Sequence, residues 1–189
     1  GQGNLFFGKV LAQVAFLAGY DDRNILKGET HGMAQMGGPV ISTFGCGEVF
    51  SPALVPGTAN VLIAMEKAEV LRPGFLDLLE PGGTVLMADT RILPHGLKPE
   101  AYPSDEAIAA QLEGYRVVSV DVLSIALNLG DPKGRCANVA MLGVLSTLPP
   151  FDVVPEAVWL QALRGISRKP ALWDLNHAAF MAGRGMQKG

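Results

Sequence analysis

Cysteine is almost absent from this 189-residue chain, which has only Cys46 and Cys136. Two thiols cannot build a disulfide framework, a four-thiolate zinc site or a cysteine-held iron–sulfur cluster. Such sparing use suits a reducing, cytoplasmic setting. Charge is scarce as well. Charged residues make up 17% of the chain, and 15 basic against 18 acidic side chains leave a net charge of −3. That balance offers no basic footprint for nucleic acid or anionic lipid. No apolar run approaches the roughly 18 residues of a membrane span. No basic, apolar and small-residue succession of a secretion signal opens the chain. The three histidines, His31, His95 and His177, stand at no ligand spacing, so no metal site is expected. What is plentiful is apolar and turn-forming: 49% hydrophobic residues, 23 glycines and 13 prolines. This composition excludes disorder and implies a packed core with many tight turns. The length suits one domain spanning 1–189, and the low charge suggests apolar surface covered by a partner.

Hydrophobic periodicity then orders the elements. Leu5, Phe6, Val10, Leu11, Val14 and Leu17 recur at helical spacing over 4–18, with Gly19 where a helix-ending glycine belongs. Asn4 is the expected N-cap, and Gly1-Gln2-Gly3 the tight turn leading into it. Residues 40–44 and 48–50, joined by Gly45-Cys46-Gly47, read as a β-hairpin. Residues 60–65 and 84–89 read as buried parallel strands, and 66–79 as a helix bent near Pro73-Gly74. Ser104 caps a helix reaching 113, and 115–120 is a further strand. Helices follow over 122–129, 137–146, 156–164 (Pro155 at its first position) and 171–182. The expected fold is α/β and Rossmann-like: a mostly parallel open sheet with a β-hairpin and a helical C-terminal third. A glycine turn opening a helix ordinarily follows a strand, so either a first strand precedes residue 1 or the sheet lacks its expected first strand.

Several motifs fail on their own chemistry. Gly3 to Val10 nearly spells a P-loop, but Val10 lacks the hydroxyl that would hold Mg²⁺. The dinucleotide fingerprint fails because Phe6 stands at its third glycine. Gly130-Asp131-Pro132 lacks the glycine that completes a thiamine diphosphate signature. The thiol of Cys136, at a helix start, is read as packed rather than activated. Two features survive. Backbone N–H groups at the first helix, around Gly1, Gly3 and Asn4, favour an anion such as a phosphate or carboxylate. The stretch from Glu29 to Gly38 combines glycines that allow close approach with polar Thr30, His31 and Gln35. His31 is the single catalytic candidate, as a general acid or base, though a lone histidine is more often structural or interfacial.

The ordered set of these pieces resembles the gamma-type domain of 2-oxoacid:ferredoxin oxidoreductases. The resemblance runs through Gly1-Gln2-Gly3-Asn4, then Glu29-Thr30-His31-Gly32-Met33-Ala34-Gln35-Met36-Gly37-Gly38, then Ser51-Pro52. It continues through 60–65, Leu79-Glu80-Pro81-Gly82-Gly83-Thr84-Val85, Asn138-Val139-Ala140-Met141-Leu142-Gly143 and Asn176-His177-Ala178-Ala179-Phe180-Met181-Ala182-Gly183. The Thr30–Gln35 wording is most similar to the beta subunit of the indolepyruvate type. Met36 stands where members of that type often carry arginine, which removes a bidentate contact for phosphate or carboxylate.

The resemblance implies a division of labour. Such enzymes oxidatively decarboxylate a 2-oxoacid with coenzyme A and pass electrons to ferredoxin. Thiamine diphosphate and iron–sulfur clusters lie in a large alpha subunit, so this chain is expected to bind neither and to be inactive alone. An arylpyruvate such as indolepyruvate is the implied substrate, with coenzyme A at or near the subunit interface. Gly1, Gly3, Asn4, Thr30, His31, Gly32, Gln35, Gly37 and Gly38 are the residues expected to face that interface. Two rival readings keep the same sequence: an independent nucleotide- or coenzyme A-binding module, and a purely structural assembly subunit.

Overall fold

The computed structural model describes residues 2–31, 40–93, 96, 98–167 and 170–186. The chain divides into two compact units, Gly1–Ala53 with Ile125–Gly189, and Leu54–Ser124. The mixed α/β character expected from the sequence is what the structure shows, with one antiparallel and one parallel sheet.

The first unit opens with α1 (Gln2–Leu17), which begins two residues before the expected N-cap. Gly3 and Asn4 therefore lie inside its first turn rather than forming a turn ahead of it. The other end is as expected. Gly19 takes φ +95°, and the Gly19 and Tyr20 amides donate to the carbonyls of Phe16 and Ala15, the paired bonds of a Schellman cap. Two strands follow, β1 (Ile25–His31) and β2 (Val40–Cys46), antiparallel with Ile25 opposite Cys46 and His31 opposite Val40. This corrects the hairpin read from sequence: β2 pairs backward with β1, and 48–50 form no strand. The misleading residue is Gly28, which reads as a loop glycine yet sits mid-strand. A Cβ there would lie 2.5 Å from Thr43 Oγ1 and 3.3 Å from Pro52. That space lets Thr43 Oγ1 donate to the Pro52 carbonyl at 2.7 Å and fold the following segment back across the hairpin. Gly28→Ala is expected to break this bond, costing about 1–3 kcal/mol. The measurement is thermal melting, and an unchanged melting temperature would refute the account.

The core of this unit is helical. The helices α3 (Val122–Asn128), α4 (Ala137–Leu145), α5 (Glu156–Ile166) and α6 (Pro170–Gly185) follow the expected order. In α4 every residue but Asn138 is buried, the signature of a helix surrounded on all sides. It packs against α6, while α1 packs against α5, α4 and the hairpin. Trp159 of α5 is fully buried between Phe151 and Phe180, with ring centroids 6.1 Å away in each case. Arg184 of α6 donates to Ser146 Oγ at 2.7 Å and pairs with Glu156 at 3.1 Å, tying the ends of three helices together.

The second unit holds the parallel sheet of β3 (Ala59–Ala64), β4 (Leu79–Ala88) and β5 (Arg116–Val120), in that spatial order. Central β4 is buried along Val85, Leu86, Met87 and Ala88 on both faces, as expected of a middle parallel strand. The helix α2 (Asp105–Gln111) starts at Ser104, whose hydroxyl accepts from the Ala107 amide at 3.2 Å. Residues 66–79 do not form the expected bent helix. They give two short 3₁₀ turns, Lys67–Leu71 and Leu76–Leu78. Pro73 forces Arg72 into an extended conformation (ψ 135°) and Gly74 takes φ +84°, so no helix can run through. Ala64, Val70, Leu79, Val85, Met87, Ile108 and Leu112 form the core here. Among the described residues, no helix is long and apolar enough to cross a membrane.

Candidate functional site

The residues singled out by sequence fall in two segments of the first unit, the start of α1 and the end of β1, as far as their backbone is described. Gly3 and Asn4 occupy the first turn of α1, and Thr30 and His31 are the last two residues of β1. Gly1, Gly32, Gln35, Gly37 and Gly38 lie outside the described residues. Two contacts fix the run of α1 over the hairpin. At its C-terminal end, Tyr20 lies 3.7 Å from where a Cβ on Gly47 would sit, beside the open end of the strands. Further back, Gly8 faces Lys27, with 3.7 Å from its Cβ position to the lysine Cδ. From Gly47 to Lys27 is the direction in which β1 travels, so the N-terminal turn of α1 points toward the Thr30–His31 end. The amides of that first turn have no helical acceptor and carry the positive end of the helix dipole. Lys9 of α1 and Lys27 of β1 are both exposed. The arrangement suits an anionic group.

The thiols are withdrawn from such chemistry. Cys46 ends β2, half-buried, and burial pushes its thiol pKa up. Cys136 is 1% exposed at the cap of α4, and burial together with the nearby Asp131 charge pushes its thiol up to about 11. Neither is a poised thiolate, and two cannot ligate a cluster that needs four. Among the described residues, no group of three histidine, cysteine or acidic side chains could hold a metal ion. These residues do not fit an iron–sulfur centre.

Two polar constructions were not anticipated from sequence. Asp131, from the failed thiamine-like triplet, is 1% exposed and accepts from the Cys136 amide at 2.8 Å. In the second unit Glu66 is 8% exposed and accepts from the Glu69 amide at 3.1 Å, the Ile92 amide at 3.3 Å and the Tyr102 hydroxyl. Tertiary burial of these acids has no local sequence signal, since a lone Asp or Glu in a helix or turn ordinarily reads as solvated.

Comparison with known proteins places these features in context. The family model described as pyruvate ferredoxin/flavodoxin oxidoreductase matches residues 1–186. The chain is 34% identical over 149 residues to indolepyruvate oxidoreductase subunit IorB of Archaeoglobus fulgidus, covering 77% of this chain and 71% of that protein. It is 30% identical over 168 residues to the subunit of the same name from Methanothermobacter thermautotrophicus, covering 87% and 83%. Among solved structures, the gamma subunit of a keto/oxoacid ferredoxin oxidoreductase from Geobacter sulfurreducens shares the fold, with TM-score 0.62 and 20% identity over 97% of this chain and 90% of that one. The 2-oxoglutarate:ferredoxin oxidoreductase of Magnetococcus marinus, solved with 2-oxoglutarate, coenzyme A and succinyl-CoA, contains the same fold within a longer chain. There the TM-score is 0.69 and the identity 18%, over 100% of this chain and 29% of that one.

Proposed function

The chain belongs to the pyruvate ferredoxin/flavodoxin oxidoreductase family, and from that premise we propose that it is the small, gamma-type subunit of a 2-oxoacid:ferredoxin oxidoreductase. The observation that carries the proposal is the 34% identity to an indolepyruvate oxidoreductase subunit over 77% of this chain. The substrate is an arylpyruvate such as indolepyruvate, with coenzyme A as acyl acceptor and ferredoxin as electron acceptor. Thiamine diphosphate supplies the decarboxylation chemistry and iron–sulfur clusters carry the electrons, both held by a large partner subunit in the cytoplasm. The presence of only two cysteines, against the four thiolates a cluster takes, supports that division of labour.

The role of this chain is then binding and orientation. The amides of Gly1, Gly3 and Asn4 offer donors, and the start of α1 its dipole, to an anionic group such as the coenzyme A phosphates. Thr30, His31, Gly32, Gln35, Gly37 and Gly38 face the partner's active site, with His31 the candidate to hold or pass a proton. The experiment is reconstitution. The chain purified alone is expected to show no iron–sulfur absorbance and no 2-oxoacid oxidation, and the complex with the large subunit to show both. In that complex, His31→Ala with Gln35→Ala is expected to raise the KM for coenzyme A at least about tenfold, the loss of one or two hydrogen bonds to a charged ligand. Oxidation by the isolated chain would end the proposal. A double variant with unchanged turnover and KM would reduce the loop to packing.

A further inference from the structure

The carboxyl ends of β3 and β4 carry a polar construction that the proposed function does not use. Glu66 stands two residues past the end of β3, and its carboxylate is shielded from solvent. A buried carboxylate is tolerated only with donors around it. Of its three donors, one belongs to its own turn, the Glu69 amide. The other two, the Ile92 amide and the Tyr102 hydroxyl, come from the connection between β4 and α2. Tyr102 Oη in turn accepts from the Ala68 amide at 3.3 Å. Burial and the Glu66 charge both push the Tyr102 hydroxyl pKa up, so it remains a donor. Beside it, Lys67 Nζ bridges Asp89 at 2.6 Å and Asp105 at 3.1 Å.

Little else holds the described parts of that connection, residues 91–93 and 98–104. Neither contributes a side chain to the hydrophobic core of the unit. Ile92 is 61% exposed and Leu93 43% exposed. Arg91 pairs with Asp105 at 2.6 Å, both side chains about half exposed at 53% and 54%, and its guanidinium lies over the Tyr102 ring at 5.6 Å; exposed contacts of these kinds are each worth no more than about 1 kcal/mol. Segments with few apolar contacts and a handful of polar ones open at lower free energy than the whole fold.

We infer that Glu66 and Tyr102 form a latch that fastens residues 91–93 and 98–104 across the carboxyl edge of β3 and β4, and that these two legs release together without unfolding the sheet. Release bares the Glu66 carboxylate at the strand ends, the edge at which open parallel sheets meet ligands, while Lys67 stays paired with Asp89 and Asp105. The device makes access to that edge conditional on one charge-assisted hydrogen bond.

Hydrogen–deuterium exchange on the intact chain tests it. In Tyr102→Phe, the Ile92, Ala101 and Tyr102 amides are expected to exchange at least about tenfold faster, the loss of one hydrogen bond to a charged group. The amides of β4 and β5 keep their protection. In the wild-type chain, the leg amides are expected to exchange at rates insensitive to low denaturant, while strand amides follow the global slope. The inference is overturned if Tyr102→Phe leaves the legs unchanged or if legs and strands accelerate together. It is equally overturned if the wild-type legs follow the global denaturant slope.

Discussion

Gly143→Ala is expected to melt about 6–20 °C below the wild-type chain, the equivalent of roughly 3–5 kcal/mol in a protein of this size. The reason is the crossing of α4 and α6, which is made backbone to backbone. A Cβ on Gly143 would lie 2.1 Å from the Phe180 carbonyl oxygen and 3.0 Å from the Arg184 nitrogen. The opposing glycine is matched: a Cβ on Gly183 would lie 2.0 Å from the Ala140 carbonyl oxygen. Both obstacles are main chain, so no rotamer change relieves them, and the helices must separate by about 1 Å. They cannot do so cheaply, because Val139, Met141, Leu142 and Phe180 are already seated in a core packed to crystal-like density. The cost therefore exceeds ordinary overpacking and takes a large share of a total stability of about 5–15 kcal/mol. Gly183→Ala should fall in the same range. Gly165 of α5 supplies the contrast, since a Cβ there meets nothing within 4 Å and its φ is not left-handed. Gly165→Ala is expected to stabilise by about 0.5–1 kcal/mol. Calorimetric melting of the three variants decides it: a Gly143→Ala protein within about 2 °C of wild type would refute the packing argument.

The same crossing explains what was legible in the sequence. The words 138–143 and 176–183, which carried much of the family resemblance, are the facing surfaces of α4 and α6. Their small residues record a steric requirement of the fold and say nothing of substrate. Helix existence was readable because apolar spacing and caps are local signals, and Gly19 and Ser104 act as read. The hairpin was misread because strand pairing is non-local. Gly28 looks like a loop glycine until Thr43 and Pro52, distant in sequence, are brought against it. Residues 66–79 were misread because apolar spacing outweighed Pro73-Gly74, although the backbone at Arg72 and Gly74 cannot be helical. The site was legible only as two segments, the start of α1 and the end of β1. That the helix axis runs toward the hairpin's far end depends on the contacts of Gly8 with Lys27 and Tyr20 with Gly47, which no periodicity encodes. Glu66 and Asp131 were invisible for the same reason, since what marks them is burial.

Asp131→Asn should carry the second large effect, a loss of about 2–3 kcal/mol above pH 5 that shrinks on acidification. Asp131 is 1% exposed at the start of α4, where Cys136 caps the helix without a side-chain bond. Its carboxylate does that work instead, with Oδ2 accepting from the Cys136 amide at 2.8 Å and Oδ1 from the Lys133 amide at 3.3 Å. It also faces the positive end of the α4 dipole. Arg135 adds a 3.5 Å contact, but its side chain is 70% exposed and contributes little. Burial alone would raise the carboxyl pKa; the hydrogen bonds from Cys136 and Lys133 and the Arg135 charge outweigh it and hold the group below its ordinary value. A folded-state pKa below the unfolded one means that the stabilisation is complete above the unfolded value, near pH 4, and is lost as pH falls through the folded one. The asparagine keeps the shape but aims an amide where the charge stood, so the buried N–H groups lose their strongest acceptor. Melting both proteins from pH 8 to pH 3 should show a constant gap down to about pH 5 and convergence below about pH 4. A gap that stays constant or widens in acid would show that the Asp131 carboxylate does not hold the helix start.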